Sequence, residues 1–113
     1  MKKERFVVRY GNYLEFKDCS EISHFYAEDK TVYLVDNDNK RFTIDSNLTS
    51  LEKQLSESSF FRINRKYIVN LETIKRIKIL PNRKMQLQLY IPTEHSVEVA
   101  RERVPRFKEW IDS

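Results

Sequence analysis

Residues 60–70 read FFRINRKYIVN, and they place three cations and an asparagine between two apolar segments. Two short strands buried in a core would leave the intervening Asn64, Arg65 and Lys66 on a tight, positively charged link. Such a link offers cations to a phosphate backbone. A solvated hairpin tip is the alternative interpretation, because short basic motifs also occur on surfaces that bind nothing.

The composition is that of one soluble globular domain. With 113 residues, of which 40% are hydrophobic and 34% charged, the chain is long enough for a single core. Cys19, His24 and His95 are too few and too far apart for a disulfide framework or a structural zinc site. No apolar run approaches the roughly 18 residues that span a bilayer, and the opening residues lack a secretory h-region. We therefore expect a cytoplasmic domain over residues 1–113, with no metal, other cofactor or membrane partner.

Catalytic constellations are missing from the sequence. The early carboxylates Glu15, Asp18 and Glu21 have the character of solvated turn residues, and neither histidine has a nucleophile beside it. Gly11 is the only glycine, which excludes a glycine-rich phosphate loop. We expect a protein that is not an enzyme.

The basic residues are concentrated in one part of the chain. Residues 61–84 carry a net charge of +7, whereas the whole chain carries +4, so the remainder is acidic. The cations of this segment are Arg62, Arg65, Lys66, Lys75, Arg76, Lys78, Arg83 and Lys84. Such an excess indicates a polyanionic partner. Lysine-rich strands that protect a sheet edge are the competing explanation, although they need fewer charges.

The apolar periodicity predicts a mainly β domain. Strands are expected over residues 5–10, 13–17, 22–27, 32–35, 41–44, 60–63, 67–69, 73–80, 85–91 and 96–99. The short turns between them imply antiparallel pairing, and Gly11-Asn12 suits a type II′ hairpin turn. Residues 85–91 alternate strictly between apolar and polar side chains, which predicts a sheet with one buried face.

Two amphipathic helices complete this prediction. Residues 46–57 place three leucines on one face, with Asp45 or Ser46 available as the N-cap. Pro105 fits the first turn of a short C-terminal helix. The apolar residues on one side of that second helix are Val104, Phe107, Trp110 and Ile111. The first helix is expected to lie on a sheet.

The basic stretch follows an amphipathic helix, and VEVARERVPRFKEWI follows alternating strands; in this arrangement the chain resembles the LytTR family of bacterial DNA-binding domains. The resemblance runs from Arg5 to Ile111. Its most specific motif, F-x-R-x-x-x-x-Y-[IV]-V-N, is met by Phe60, Arg62, Tyr67, Ile68, Val69 and Asn70. The resemblance implies an elongated fold of mostly antiparallel strands in stacked sheets, which inserts loops rather than a recognition helix into successive major grooves.

Family members read bases from three places, and their positions transfer to this chain. By this resemblance the base contacts are Lys30 and Thr31 at an early tip, Asn64 and Arg65 in the basic stretch, and Arg101 after the last strand. Arginine can donate bidentate hydrogen bonds to guanine, and asparagine can pair with adenine.

Other cations suit the phosphate backbone better. We expect phosphate contacts from Arg62, Lys66, Arg83 and Arg103. For Arg62 the alternative is an ion pair at a buried edge. Asn70 is expected only to satisfy backbone groups of a turn.

The resemblance also implies a place in the cell. It implies the output domain of a bacterial transcription regulator, commonly of a two-component system with a receiver domain and a sensor kinase, which binds tandem repeats of double-stranded DNA as two copies. These residues include no receiver, so we expect an excised domain or a stand-alone regulator, with weak or no self-association in isolation. The alternative is an RNA-binding or ribosome-associated small basic β domain, which would stack bases on aromatics such as Tyr33 or Tyr90.

Overall fold

Antiparallel strands make up most of the chain. The computed structural model describes residues 1–113. The strands are β1 (Arg5–Tyr10), β2 (Tyr13–Asp18), β3 (Ile22–Glu28), β4 (Thr31–Asp36), β5 (Arg41–Ile44), β6 (Phe60–Arg62), β7 (Tyr67–Asn70), β8 (Ile74–Leu80), β9 (Lys84–Leu89) and β10 (Val97–Val99). The helices are α1 (Leu48–Gln54) and α2 (Val104–Ile111). The mainly β class with one internal and one C-terminal helix is confirmed.

The strands form one hairpin and two larger sheets. β1 pairs with β2 alone, a five-stranded sheet has the order β5-β4-β3-β7-β6, and a three-stranded sheet has the order β10-β9-β8. Every pairing is antiparallel. The extents of 47 × 32 × 24 Å make the molecule elongated. The architecture expected from the family resemblance is therefore confirmed.

Strands β6 and β7 separate two hydrophobic cores. Phe60 and Ile68 enter the first core, which also contains apolar residues of the hairpin, β3 to β5 and α1. Ile63 and Val69 enter the second core, which the three-stranded sheet and α2 complete. Successive side chains of a strand point to opposite faces, so both cores hold the same pair of strands. The apolar flanks of the basic stretch are thus anchored from two sides.

The leucine face of α1 packs as the sequence predicted. Leu48 and Leu51 are buried, and so is Leu55 at the C-terminal end of the helix. The prediction of Asp45 or Ser46 as the N-cap was wrong, because the helix begins only at Leu48. Asn47 is the N-cap, and its side-chain oxygen accepts a hydrogen bond of 2.8 Å from the N–H of Ser50.

The C-terminal helix closes the second core. Val104, Phe107 and Trp110 are buried, with Pro105 in the first turn. The indole Nε1 of Trp110 donates a hydrogen bond of 2.8 Å to the carbonyl oxygen of Glu57. This bond ties α2 to the segment after α1.

One turn and one strand end bear on the sequence prediction. Gly11 has a φ of 62° while Asn12 is not left-handed, as a type II′ turn requires. Strand β9 ends at Leu89 rather than at the predicted Ile91. Tyr90 then projects outward with 64% of its surface exposed.

A buried histidine lies on the central strand β3. His24 is 3% exposed, and its Nδ1 lies 2.9 Å from Ser23 Oγ, which in turn lies 2.5 Å from Thr73 Oγ1. Burial lowers the pKa of His24 to about 4. The imidazole is therefore neutral in the folded protein at neutral pH.

The lowered pKa of His24 makes the free energy of unfolding depend on pH. In the unfolded chain the imidazole has its ordinary pKa of 6.5, so acid protonates the unfolded state first and favours unfolding. The contribution is fully present above pH 6.5 and is lost as the pH falls toward 4. Urea denaturation at pH 7 and pH 4.5 should show that wild type loses about 2–3 kcal/mol more than His24→Gln. Equal losses in the two proteins would contradict this assignment.

Candidate nucleic-acid interface

The loop between β6 and β7, residues 63–66, is closed by the side chain of Asn64. The Oδ1 atom of Asn64 accepts hydrogen bonds from the N–H groups of Lys66 at 2.7 Å and Tyr67 at 2.9 Å. Its Nδ2 atom donates a hydrogen bond of 2.6 Å to the carbonyl oxygen of Glu98 in β10. Asn64 is half-buried and does not project freely, contrary to the expectation that all three polar loop residues point outward.

Two backbone hydrogen bonds join this loop to strand β3 of its own sheet and to the residue that follows β10 of the three-stranded sheet. The N–H of Ala27 in β3 donates to the carbonyl oxygen of Lys66, and the N–H of Ala100 donates to that of Ile63, both at 2.9 Å. Strand β3 leads into the turn at Lys30, and Ala100 directly precedes Arg101. Residues 29–31, 63–66 and 100–103 therefore lie beside one another, and we call them the loop edge. A cleft of about 460 Å³ lies between the end of β3, the loop and the segment at Ala100, and Glu28, Arg65 and Glu102 are among the residues that line it.

The early tip of the loop edge is a tight hairpin turn. Asp29 and Lys30 both have positive φ, 50° and 66°, between the paired residues Glu28 and Thr31. Positive φ at both central residues is the geometry of a type I′ turn. Lys30 is exposed, whereas Thr31 is half-buried as the first residue of β4.

The two arginines predicted to read bases are free. Arg65 and Arg101 are exposed, and neither guanidinium has a hydrogen bond or ion pair within the protein. Free guanidinium groups retain all their donors for a ligand. Lys66 is also exposed and has no partner for its ammonium group.

The guanidinium of Arg62 already makes hydrogen bonds and an ion pair within the protein. Its Nε donates to the carbonyl oxygen of Asn64 at 3.2 Å, and one terminal nitrogen donates to that of Arg65 at 3.0 Å. The other terminal nitrogen contacts Thr49 Oγ1 at 3.1 Å and a carboxylate oxygen of Glu52 at 3.6 Å. The ion pair of the alternative interpretation is thus present. The phosphate contact of Arg62 stays a prediction.

The other two predicted phosphate contacts differ in exposure. Arg103 is half-buried and donates a hydrogen bond of 3.2 Å to the carbonyl oxygen of Arg62. Arg83 is exposed, with a φ of 60° in the turn between β8 and β9. It lines a groove of about 1060 Å³ together with Arg101, Lys84 and Lys108. Lys108 was missed from the sequence, because α2 was interpreted only through its apolar face.

The charge excess of residues 61–84 is divided in space. Lys75, Arg76 and Lys78 are exposed on β8 rather than on the loop edge. Arg83 and Lys84 lie at the turn of the β8–β9 hairpin, at the far end from Lys75 and next to the end of β10. Part of the excess therefore fits the solvated-strand explanation, and part adjoins the loop edge.

Two residues singled out in the sequence, Tyr33 and Asn70, are held by neighbours within the protein. The ring of Tyr33 is stacked on that of Tyr26, with 5.0 Å between the two centroids. The guanidinium of Arg41 lies 4.6 Å from the centroid of the Tyr33 ring. Base stacking on Tyr33 would have to displace these neighbours. Asn70 donates to the carbonyl oxygen of Ile22 at 2.9 Å and accepts from the N–H of Glu72 at 3.1 Å, so its predicted turn role is confirmed.

No helix is long and apolar enough to cross a membrane. No three His, Cys, Asp or Glu side chains gather in a group that would hold a metal ion.

An antiparallel β domain that presents cations on joined loops has the form of a nucleic-acid-binding module. A family model described as the LytTr DNA-binding domain matches residues 14–112. The chain belongs to the LytTR family of DNA-binding domains.

One solved structure shares the whole fold. The chain is similar to the LytTr DNA-binding domain of a putative methyl-accepting/DNA response regulator from Bacillus cereus, with a TM-score of 0.84 and 22% sequence identity. The alignment covers 98% of this chain and 99% of that one. A search of curated proteins found no match.

Asn64 should stabilise the folded loop. Asn64→Ala removes three hydrogen bonds, and we expect the free energy of unfolding to fall by about 1–3 kcal/mol. Lys66→Ala, a neighbouring exposed residue, is the matched control and should change it by less than about 0.5 kcal/mol. Urea denaturation measures both variants. If Asn64→Ala were as stable as the control yet lost DNA affinity, Asn64 would read a base instead.

Proposed function

We propose that this domain binds double-stranded DNA sequence-specifically, as the output domain of a bacterial transcription regulator. The observation that carries the proposal is the loop edge, where hydrogen bonds join the basic loop to β3, which leads into the tip at Lys30, and to Ala100, and where Arg65 and Arg101 stay unpaired. Membership of a DNA-binding family supports the same partner.

The free side chains of the loop edge read the bases. Arg65 and Arg101 each donate two hydrogen bonds to guanine, the most frequent specific contact in a major groove. Lys30 and Thr31 contact bases from the neighbouring turn. Base contact by Asn64 competes with loop closure for the same amide atoms, so a bidentate contact with adenine would open the loop.

The phosphate contacts flank these side chains. Lys66 and Arg83 supply exposed charges, and Arg103 and Arg62 supply guanidinium groups that also donate hydrogen bonds to backbone carbonyl oxygens. Contacts of this kind orient a protein on the duplex without carrying sequence information.

The cellular setting that we propose is the one that the family resemblance implies. Two copies bind tandem repeats in a promoter, in the cytoplasm, under the control of a receiver domain and a sensor kinase. The alternative of RNA binding has less support, because the ring of Tyr33 is covered by Tyr26 and Arg41, and Tyr90, although 64% exposed, follows β9 outside the loop edge.

Salt dependence tests whether the partner is a polyanion. With about six phosphate contacts, affinity should fall roughly 10³-fold between 50 and 200 mM salt. The duplex is one selected by this domain from a random-sequence library, and the controls are an unrelated duplex and a single-stranded RNA. A flat salt response would exclude nucleic acid. Tighter binding to the RNA than to the selected duplex would favour the alternative function.

Two single variants separate base contacts from phosphate contacts. Arg101→Ala should cost about 1–3 kcal/mol on the selected duplex and little on the unrelated one. Lys66→Ala should weaken both complexes alike, because a phosphate contact is independent of sequence. Fluorescence anisotropy measures the four affinities. Equal losses for Arg101→Ala on both duplexes would remove it from the base-reading residues.

A further inference from the structure

The β1–β2 hairpin exposes an apolar face that no other element covers. Val7, Leu14 and Phe16 are 55%, 73% and 68% exposed. Val7 pairs with Phe16, so both lie on one face, whereas Phe6 and Val8 point into the first core. An exposed cluster of this kind is typical of an interaction surface.

The outer edge of β2 is also open. β2 pairs with β1 alone, and no further backbone hydrogen bond of the protein reaches Leu14 or Phe16 from the outer side. Tyr10 and Tyr13 flank a two-residue turn and so form a hydrogen-bonded pair, which directs the N–H and C=O groups of Leu14, Phe16 and Asp18 outward. An exposed, unprotected edge strand is a template for another strand.

The charges along β2 are complementary to those of a second copy of β2 that runs antiparallel to it. Two-fold symmetric antiparallel pairing places one residue opposite itself. Glu15 or Lys17 in that position would bring like charges directly opposite one another, which is destabilising. Asp18 would bring two carboxylates together, and Leu14 would leave Phe16 opposite the turn. With Phe16 at the centre, Glu15 of each copy faces Lys17 of the other. The pairing is therefore complementary in charge on both sides of the axis.

We propose that two copies of this chain associate through antiparallel pairing of β2 with β2, with Phe16 on the two-fold axis. The two hairpins join into one continuous sheet, and their apolar faces merge. Lys17, whose Nζ lies 3.0 Å from Asp36 Oδ2, gains a second carboxylate from Glu15 of the other copy. This pairing does not depend on the proposed DNA binding.

The size of the surface sets the strength of association. A strand of six residues is roughly 20 Å long at about 3.4 Å per residue. A hairpin face of that length buries much less than the roughly 800 Å² per partner of stable complexes. The dimer is thus weak in solution and forms at high concentration.

Disulfide trapping tests the register. Opposite residues of a hydrogen-bonded antiparallel pair have Cα atoms about 5.5 Å apart, within the range of a disulfide. In a Cys19→Ser background, Phe16→Cys should form covalent dimers in oxidised glutathione at least tenfold faster than Leu14→Cys, which faces Asp18 in this register. Tyr90→Cys is the control for random collision. Equal rates for Phe16→Cys and Tyr90→Cys overturn the proposal.

Sedimentation equilibrium tests the association without a cross-link. Wild type should dimerise reversibly at high protein concentration, and Phe16→Glu and Glu15→Lys should each raise the dissociation constant at least tenfold. Tyr90→Glu, which changes an equally exposed aromatic outside the hairpin, should leave it unchanged. Wild type that stays monomeric at millimolar concentration overturns the proposal and assigns the face to a different partner. Dimerisation that Tyr90→Glu abolishes and Phe16→Glu does not places the interface elsewhere.

Discussion

The hydrogen bonds of the loop at residues 63–66 are the constraint on which the rest of this structure depends. The N–H groups of Ala27 and Ala100 reach this loop from two different sheets, and Asn64 adds a third bond to the carbonyl oxygen of Glu98. Without these bonds the basic loop would be tied neither to the end of β3, which leads into the tip at Lys30, nor to the segment at Arg101. With them, the three segments form one edge that can meet a single ligand.

Burial on both sides gives this arrangement its rigidity. β6 and β7 contribute side chains to both hydrophobic cores, so neither strand can shift without disturbing both. The guanidinium of Arg62 donates hydrogen bonds to the loop backbone, and that of Arg103 donates one to the carbonyl oxygen of Arg62 at the end of β6. A loop ordered before binding loses less conformational entropy when it meets a ligand. The cations that stay free, Arg65 and Arg101, are thus held on a fixed support.

The sequence predicted what depends on local patterns. Alternation and turn residues located the strands, and the leucine spacing located α1. Contacts between distant residues were not predictable in the same way. Asn64 finds its partner Glu98 thirty-four positions away, so its side chain resembled a free base-reading group until the fold was known. For Arg62 the sequence left an ion pair open as the alternative to a phosphate contact, and only the fold showed that Glu52 is the partner. Lys108 lines one groove with Arg83 and Arg101 only through the packing of α2. Charge counting identified a basic segment but could not show that β8 carries part of it elsewhere.

The central claim is that the three segments of the loop edge contact the same DNA together. The most direct measurement is an NMR titration of the isotope-labelled domain with a duplex selected from a random library, following the backbone amide shifts. The structure predicts that the largest changes fall in residues 29–31, 64–66 and 101–103 at the same duplex concentration, while the amides of Lys75 and Lys78 change little. Changes centred on β8, or confined to one of the three segments, would contradict the account.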